Sequence, residues 1–361
     1  MILSRRRERW YTSPSALVAW ALLASALLGM LVGGLPGVVT VMIGIAAGLI
    51  LLCALFYFRL IDFDELRQAL AHPGLLALTL LACVGTMPLA GLRWHVLLRS
   101  QGLVLHLWHT IRIVAMGAFF ATFLPGGSGG DIVRGVYIYQ ASHGRRTSAL
   151  LSIFIDRLIG LAAFILFGVV ATLTRPWENY GVLEYGVFGI AVVFLGLLAV
   201  LFLLGHRIAR LVNLLFAGRS RRLAQVIDDA GEALHQYARE WRSLLLALAV
   251  SMVIVLFAAG GIVLIAAATA FGGLSPVEYG IAGVYAMIAN SLPFTPGGLG
   301  IGEGAFASAC VMLEPQTSGI AYGTIFLVFR CILVLSTLPG LVAYLVYPQR
   351  AQLLAPVNPN P

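Results

Sequence analysis

The chain has 361 residues, of which 60% are apolar and only 11% are charged, and its formal net charge is +8. Water-soluble domains are about 45–50% apolar and about 25% charged, so this composition excludes a soluble enzyme, a nucleic-acid-binding domain and a disordered chain. All 23 basic residues are arginine, which excludes catalysis by a lysine amine. Many of them flank apolar stretches, as in multi-pass membrane proteins. We therefore predict an all-α, polytopic membrane bundle with no nucleic-acid partner.

The N-terminal region predicts two membrane helices. No charged side chain occurs from Trp10 to Phe58, and a helix needs about 20 residues to cross. Pro36-Gly37 divides this stretch into spans 15–35 and 38–58, and we expect the first to be an uncleaved anchor. The predicted organisation is a cytosolic N-terminus (1–14), an additional transmembrane helix (15–36), the main membrane domain (37–346) and a C-terminal tail (347–361).

The remaining chain predicts a surface helix, further spans and two broken segments. The mixed charges of 61–72 favour a helix lying at the membrane interface. The stretches 113–124 and 277–292 each end in a proline and glycine cluster and then resume as a short helix. A cytosolic amphipathic segment is predicted over 206–242, with a helix at 219–242 that contacts anionic headgroups. Further spans are predicted at 74–92, 149–173, 185–205, 243–270 and 320–346.

The arginines indicate an orientation. If 113–141 crosses the membrane, most arginines lie on the cytosolic side, together with the basic stretch 206–242. If it turns back, that basic stretch falls on the opposite side, which the positive-inside rule disfavours. The crossing alternative therefore predicts a cytosolic N-terminus, and we expect the inner (plasma) membrane as the location. It leaves Arg93, Arg99, Arg112 and Arg175 on the opposite side.

The two broken segments share one loop pattern. Both contain Pro-Gly-Gly-x-Gly followed within three residues by a carboxylate, Asp131 or Glu303. We therefore predict two helices that are broken or re-entrant, and an internal repeat is one interpretation of their shared pattern. Paired glycine and proline interruptions indicate the binding site of a transporter. Their non-helical backbone must line a cavity if it lies within the bilayer. Free amides at the start of a helix favour phosphate or carboxylate as the bound group.

The carboxylates leave alternatives open. In the simplest one the loops are ordinary helix breaks, and Asp131 and Glu303 cap the helices that follow. A carboxylate beside an anion site repels phosphate, so we expect Arg134, one turn after Asp131, to neutralise it by local pairing. Glu303 is also a candidate for proton coupling.

Charged residues within the predicted spans indicate a polar interior. Asp156-Arg157 lies in the first third of the 149–173 span, and Arg330 lies in the middle of the last one. A central charge costs at least about 2.5–3.5 kcal/mol, so these side chains should face the bundle interior. There they hold an anionic substrate or pair with a carboxylate, for example Arg330 with Glu303 or with Asp156.

Arg93-Trp94 closes the 74–92 span and has two interpretations, an interfacial anchor or a substrate contact. His95, His106 and His109 lie close in sequence but match no zinc-ligand spacing. We therefore predict no metal and no cofactor.

In order along the chain, Arg93-Trp94, the first loop with Arg134, Asp156-Arg157 and the loop from Asn290 to Glu303 resemble the flippase-like membrane domain of lysylphosphatidylglycerol synthases. The likeness covers about residues 40–346, and we expect a stand-alone member without the soluble synthetase domain. The resemblance implies a helical bundle that moves a phosphate-bearing lipid between leaflets. We expect both loops to meet in one anion-binding pocket. The predicted substrate contacts are Arg93, Trp94, Pro125, Gly126, Gly127, Gly129, Gly130, Asp131, Arg134, Asp156, Arg157, Asn290, Pro293, Pro296, Gly297, Gly298, Gly300, Glu303 and Arg330.

The predicted function is a non-enzymatic lipid translocase for a phospholipid, an aminoacyl-phospholipid or a polyprenyl-phosphate-linked lipid. Without lysine the chain has no Walker loop, so movement must be downhill, proton-coupled or driven by a partner. A membrane transferase that uses Asp131, Asp156 or Glu303 is one alternative. Another is an accessory subunit that holds a separate synthase or glycosyltransferase at the membrane through helix 219–242.

Overall fold

The computed structural model describes Cys53, Tyr57 and residues 63–123, 128–142, 145–216, 221–269, 273–291, 298–314 and 321–346. Throughout these ranges the chain is helical and contains no strand. The predicted segments 1–14 and 15–36, the tail 347–361 and, apart from Cys53 and Tyr57, the span 38–58 lie outside the described residues.

The helices match the predicted elements in order. Helices α2, α5, α6, α8 and the α11–α12 pair are long and apolar enough to cross a membrane, so this is a multi-pass membrane protein. Predicted span 185–205 extends at both ends, because α6 continues into the polar region. The bounds are α1 Phe63–Leu70, α2 Pro73–Ser100, α3 Leu107–Phe123, α4 Ser128–Ala141, α5 Arg146–Leu173, α6 Val182–Phe216, α7 Arg221–Arg239, α8 Trp241–Ala268, α9 Pro276–Asn290, α10 Ile301–Leu313, α11 Gly323–Ser336 and α12 Leu338–Val346, with a 3-10 turn at Trp177–Asn179.

Each broken segment folds into an antiparallel helical hairpin. In the first, a Cβ on Gly130 would lie 2.7 Å from the carbonyl oxygen of Gly117 and 3.1 Å from Cβ of Ala121, and a Cβ on Gly117 would lie 3.4 Å from Cγ of Arg134. In the second, Tyr279 stacks on Phe306 near the open end, and Asn290 contacts Gly298 beside the loop. Contacts that advance along one arm therefore move backwards along the other. Both α3–α4 and α9–α10 return towards the side from which they start.

Polar contacts define one end of the bundle, which we call the basic end. The Arg145 guanidinium donates from Nη1 to the carbonyl oxygen of Gln101 at 2.7 Å, and Gln236 Nε2 donates to that of Ser100 at 2.7 Å. The end of α2, the start of α5 and helix α7 therefore lie together. Arg99, Arg145, Arg146, Arg239 and Arg242 all belong to this end.

The crossing alternative for 113–141 does not agree with these contacts. It required Arg99 and Arg145 to lie on opposite sides, whereas both lie at the basic end because the α3–α4 hairpin turns back. The side of the N-terminus depends on how residues 1–62 are arranged, and its cytosolic placement stays a prediction.

A buried ion-pair group marks the opposite end. Arg175 contacts Glu184 and also reaches Glu278, Nη2 to Oε1, at 2.9 Å. The chain after α5 therefore meets the starts of α6 and α9. Because α9 starts here, the α9–α10 hairpin enters the bundle from the end opposite to that used by α3–α4.

Helix α7 is amphipathic, as predicted for the 206–242 segment. Ala233, Leu234 and Tyr237 form its buried face, and α7 packs along α6. The Tyr237 hydroxyl donates to the carbonyl oxygen of Leu97 at 3.3 Å, and burial raises the pKa of this hydroxyl. These contacts fix α7 across the basic end.

Candidate functional site

The first polar group, which we call the arginine cluster, consists of Arg93, Arg134 and Asp156. Asp156 lies in α5 and is only 1% exposed. Arg93 donates to both of its carboxylate oxygens, from Nε at 2.6 Å and from Nη2 at 2.9 Å. Arg134 Nη1 donates to Oδ2 at 2.9 Å, and Arg93 Nη1 also reaches Ser251 Oγ at 3.2 Å. Helices α2, α4, α5 and α8 thus converge on one carboxylate.

The arginine cluster carries an excess positive charge, because two guanidinium groups surround one carboxylate. Arg134 Nε is buried and has no hydrogen-bond partner among the residues that the structure describes. A buried donor and a buried net charge both cost free energy unless a partner satisfies them. The cluster therefore has the charge and the donor needed to hold an anion.

Trp94 belongs to the wall of the arginine cluster. It is fully buried, and its Nε1 donates to Ser152 Oγ at 3.1 Å. Arg134 Cζ lies 5.6 Å from the centre of the Trp94 ring, a distance typical of a cation–π contact. The interfacial-anchor interpretation of Arg93-Trp94 is wrong, because α2 continues to Ser100 and turns both side chains into the bundle.

Asp131 and Arg157 form a separate ion pair at the edge of the arginine cluster. Their side chains are 32% and 42% exposed, far more than those of the cluster itself. The predicted local pairing of Asp131 with Arg134 is wrong. Arg134 turns inward and donates to Asp156 instead, because an ion pair with a buried carboxylate is stronger than one on the helix surface.

The second polar group, which we call the closed pair, is Glu303 with Arg330. Glu303 is fully buried, and Arg330 contacts both of its carboxylate oxygens, with Nη2 to Oε2 at 3.0 Å. Arg330 Nη2 also donates to Asn290 Oδ1 at 3.0 Å and to the carbonyl oxygen of Gly298 at 2.9 Å. The closed pair is neutral and has several internal partners.

Two predicted alternatives are confirmed at the closed pair. Glu303 caps its own helix, because Oε2 accepts from the backbone amide of Gly300 at 2.9 Å. Arg330 pairs with Glu303, and the alternative pairing of Arg330 with Asp156 is wrong, since Arg93 and Arg134 occupy that carboxylate. The capping interpretation of Asp131 is not tested by these contacts.

Steric constraints explain why glycine occupies several positions of the second loop. Gly298 and Gly300 adopt φ values of +72° and +81°, which favour glycine. A Cβ on Gly298 would overlap the side chain of Asn290, and one on Gly302 would lie 2.8 Å from Arg330 Nη2. The backbone must therefore approach the closed pair without side chains.

The two polar groups lie at different levels of the bundle. On α8, Ser251 contacts Arg93, whereas Gly261 packs against Phe329, the neighbour of Arg330. These ten residues correspond to about 15 Å along a helix. The predicted single pocket therefore finds no support in the described contacts. The loop residues 124–127 and 292–297, which include Pro125, Gly126, Gly127, Pro293, Pro296 and Gly297, lie outside the described residues.

Three residues of the site were missed by the sequence analysis. Ser152 and Ser251 hold Trp94 and Arg93, but a serine in an apolar helix carries no distinctive signal. Gly160 leaves room for Arg93, since a Cβ there would lie 3.0 Å from Nη1. Its position one turn after Asp156 was the available signal.

An apolar cavity of about 450 Å³ lies between α2, α3 and α12. Val84, Met87 and Val342 are among the side chains that line it, together with Trp108 and Arg112 near the start of α3. Arg112 Cζ lies 5.4 Å from the Trp108 ring centre. The cavity therefore joins an apolar wall to a cationic residue at the basic end.

The fold and the polar groups define a multi-pass helical membrane protein in which buried arginine and carboxylate groups join two hairpins to the neighbouring long helices. The sequence profile described as the lysylphosphatidylglycerol synthase TM region matches residues 38–340. The chain therefore belongs to this family, a result that confirms the resemblance and indicates a lipid-related membrane protein. No curated protein and no solved structure gives a significant match.

Proposed function

We propose that the protein is a translocase that moves a phosphate-bearing lipid between leaflets and binds its headgroup at the arginine cluster. The observation that carries this proposal is the excess charge of Arg93 and Arg134 over Asp156 inside the bundle. An anionic headgroup neutralises that charge, whereas a zwitterionic headgroup does so less well.

The chemistry of the arginine cluster favours a phosphate. Guanidinium groups bind phosphate through paired hydrogen bonds, and Arg134 Nε is a buried donor with no partner among the described residues. Asp156 holds both arginines in a fixed arrangement, so little ordering is needed when the anion arrives.

The apolar cavity between α2, α3 and α12 supports a lipid rather than a free anion. Its lining is mainly aliphatic, and Arg112 stands beside it. An acyl or isoprenoid tail fits such a wall, while the headgroup enters the bundle along α3. Tail and headgroup would then be held by different parts of the first hairpin.

We further propose that the basic end faces the cytosol of a plasma membrane, because arginine-rich ends are retained on that side. In this orientation the α3–α4 hairpin enters from the cytosolic side and α9–α10 from the opposite side. Movement is downhill, proton-coupled or driven by a partner such as a synthase or glycosyltransferase.

The test is reconstitution into phosphatidylcholine liposomes that contain a trace of fluorescent lipid with either a phosphatidylglycerol or a phosphatidylcholine headgroup and identical tails. A membrane-impermeant reductant reports how fast inner-leaflet lipid becomes accessible. We expect faster translocation of the anionic probe, reduced roughly tenfold or more in Arg134→Gln, which loses one charged contact. Arg146→Gln, an exposed arginine at the same end, is the matched control.

The proposal is overturned if neither probe moves faster than in empty vesicles. It is also overturned if Arg134→Gln and Arg146→Gln behave alike. Formation of a chemically modified lipid by the purified protein alone would favour the transferase alternative instead.

A further inference from the structure

The chain contains two halves with the same order of elements. Residues 73–173 contain a 28-residue helix (α2), the α3–α4 hairpin and the crossing helix α5. Residues 241–346 contain a 28-residue helix (α8), the α9–α10 hairpin and the crossing pair α11–α12. In the sequence, helices α6 and α7 separate the two halves. Element order and the length of the leading helix therefore agree.

The chemistry of the two halves agrees as well. Each hairpin has a Pro-Gly-Gly-x-Gly loop followed by a carboxylate, and each carboxylate forms an ion pair with an arginine on the next crossing helix. The sequence separation is 26 residues from Asp131 to Arg157 and 27 residues from Glu303 to Arg330. Two loops of one pattern, whose spacings to a salt-bridge partner differ by only one residue, indicate a repeat rather than coincidence.

The two halves have opposite orientations. The hairpins enter from opposite ends, as shown by Gln101 with Arg145 at one end and Arg175 with Glu278 at the other. The leading helices α2 and α8 pack antiparallel, because Thr79 lies against Gly261 whereas Arg93 reaches Ser251. A two-fold axis in the membrane plane relates halves arranged in this way.

The equivalent ion pairs differ in exposure. Asp131 and Arg157 are 32% and 42% exposed, whereas Glu303 and Arg330 are 0% and 10% exposed. An inverted repeat with one half open and the other closed has a second arrangement available, in which the halves exchange conformations. Because packed interfaces favour discrete arrangements over gradual deformation, such an exchange is a two-state change.

We infer that residues 73–173 and 241–346 are inverted repeats whose ion pairs, Asp131–Arg157 and Glu303–Arg330, occupy equivalent subsites that open in turn on opposite sides of the membrane. In the structure described here the first subsite is open and the second is closed. When the second opens, Glu303 and Arg330 become exposed, while Asp131 and Arg157 become buried. The nature of the cargo rests on the proposed function, whereas the exchange of exposure does not.

The exchange is testable without any cargo. Amide hydrogen exchange is measured by mass spectrometry on the full chain in phosphatidylcholine nanodiscs, at the starts of α4 (128–134) and α10 (301–307). The wild type should exchange faster at α4. Glu303→Gln leaves Arg330 buried without its carboxylate, which disfavours the closed second subsite. We expect exchange roughly tenfold or more faster at α10 and a matching slowing at α4.

The reciprocal slowing at α4 is the decisive observation, since a locally loosened α10 would leave α4 unchanged. In the double variant Asp131→Asn/Glu303→Gln, closure of the first subsite would bury an unpaired Arg157, so the slowing at α4 should disappear. Asp229→Asn is the control. It removes a carboxylate from a contact with Thr147 that lies outside both hairpins and should leave both segments unchanged.

If Glu303→Gln does not accumulate, Arg330→Lys keeps the charge, loses the two-pronged contact and should give the same reciprocal change with smaller amplitude. Faster exchange at α10 with no change at α4 in these variants overturns the inference. Reciprocal exchange without lipid movement in liposomes would retain the repeat and refute the proposed cargo. Lipid movement without reciprocal exchange would support the proposed cargo and refute the exchange between the two halves.

Discussion

The two hairpins place different chemistry on the same scaffold. Three residues after the loop carboxylate, the first hairpin has Arg134 and the second has Phe306. Immediately before the paired arginine, the first half has Asp156 and the second has Phe329. Both phenylalanines are fully buried. One interior is therefore charged and can bind an anion, whereas the other is an aromatic core around a neutral ion pair.

This difference teaches that a loop motif fixes the backbone, while the residues just beyond it fix the chemistry. In the second hairpin the aromatic cluster Phe306, Phe326 and Phe329 excludes water around Arg330. In the first, the charged side chains need a further partner, since one carboxylate faces two guanidinium groups. We therefore expect substitutions in the two hairpins to have different effects on stability and on lipid binding.

The largest effect is expected for Asp156→Asn. This change leaves Arg93 and Arg134 buried with no carboxylate between them, which should lower the free energy of unfolding by about 3–5 kcal/mol. Thermal melting of the purified protein in neutral detergent is the measurement. Asp229→Asn, which removes a carboxylate from an exposed contact with Thr147, should change little. Equal melting temperatures for both variants would show that Asp156 is not the centre of the cluster.

The next effect is expected for Gly298→Ala, because Cβ would overlap Asn290 at a backbone with φ of +72°. Strain of this kind costs about 1–3 kcal/mol, and melting should report it. Adding Asn290→Ala relieves the overlap, so the double variant should lose less than the two single variants added together. Gly189→Ala, where Cβ would meet nothing within 4 Å, is the control. Strict additivity would contradict the geometry of the second loop.

A smaller effect is expected when an anionic lipid is added, and it should show which hairpin binds that lipid. Phosphatidylglycerol added to detergent micelles should raise the melting temperature of the wild type more than phosphatidylcholine, corresponding to about 1–3 kcal/mol at saturating lipid. Arg134→Gln should lose this preference because Arg93 and Asp156 then form a neutral pair. Arg330→Gln should keep it. If the loss instead follows Arg330, the anion site lies in the second hairpin.

The smallest effect is expected for Trp94→Phe, which removes the hydrogen bond to Ser152 and weakens the contact with Arg134. Each is worth about 1 kcal/mol. Ser152→Ala removes the acceptor of the indole N–H and also the hydrogen bond from Ser152 Oγ to the carbonyl oxygen of Ala149. It leaves a buried donor unpaired, at a cost of about 1–3 kcal/mol. An unchanged melting temperature in Trp94→Phe would indicate that neither contact of the indole ring helps to hold Arg134.

Several ion pairs in the structure differ from those that the sequence predicted. The pairing of Arg330 with Glu303 was available as an alternative, because a charge in the middle of a span must find a partner in the bundle interior. The pairing of Arg134 with Asp156 was not, since neighbours in sequence favoured Asp131. An interfacial position was one of the two interpretations of Arg93, because the apolar run ends there, although α2 continues for two further turns to Ser100.

The orientation of the first hairpin likewise depended on packing that the sequence does not reveal. Charge counting favoured a crossing at 113–141, because the positive-inside rule compares loops without knowing whether a helix turns back. The contacts of Gly117 with Gly130 and of Arg145 with Gln101 reversed that conclusion. A hairpin and a crossing share one composition and differ only in the packing of their arms.

The sequence by itself determined the membrane class, the helical spans, the two loop interruptions and the family, because apolar length, glycine and proline act locally and leave a readable pattern. Tertiary structure alone decided that two arginines share Asp156, that Glu303 is closed by Arg330, and that the hairpins enter from opposite ends. Those outcomes depend on contacts between residues far apart in the chain. There the free energy of burying a charge selects the partner, whatever its distance in sequence.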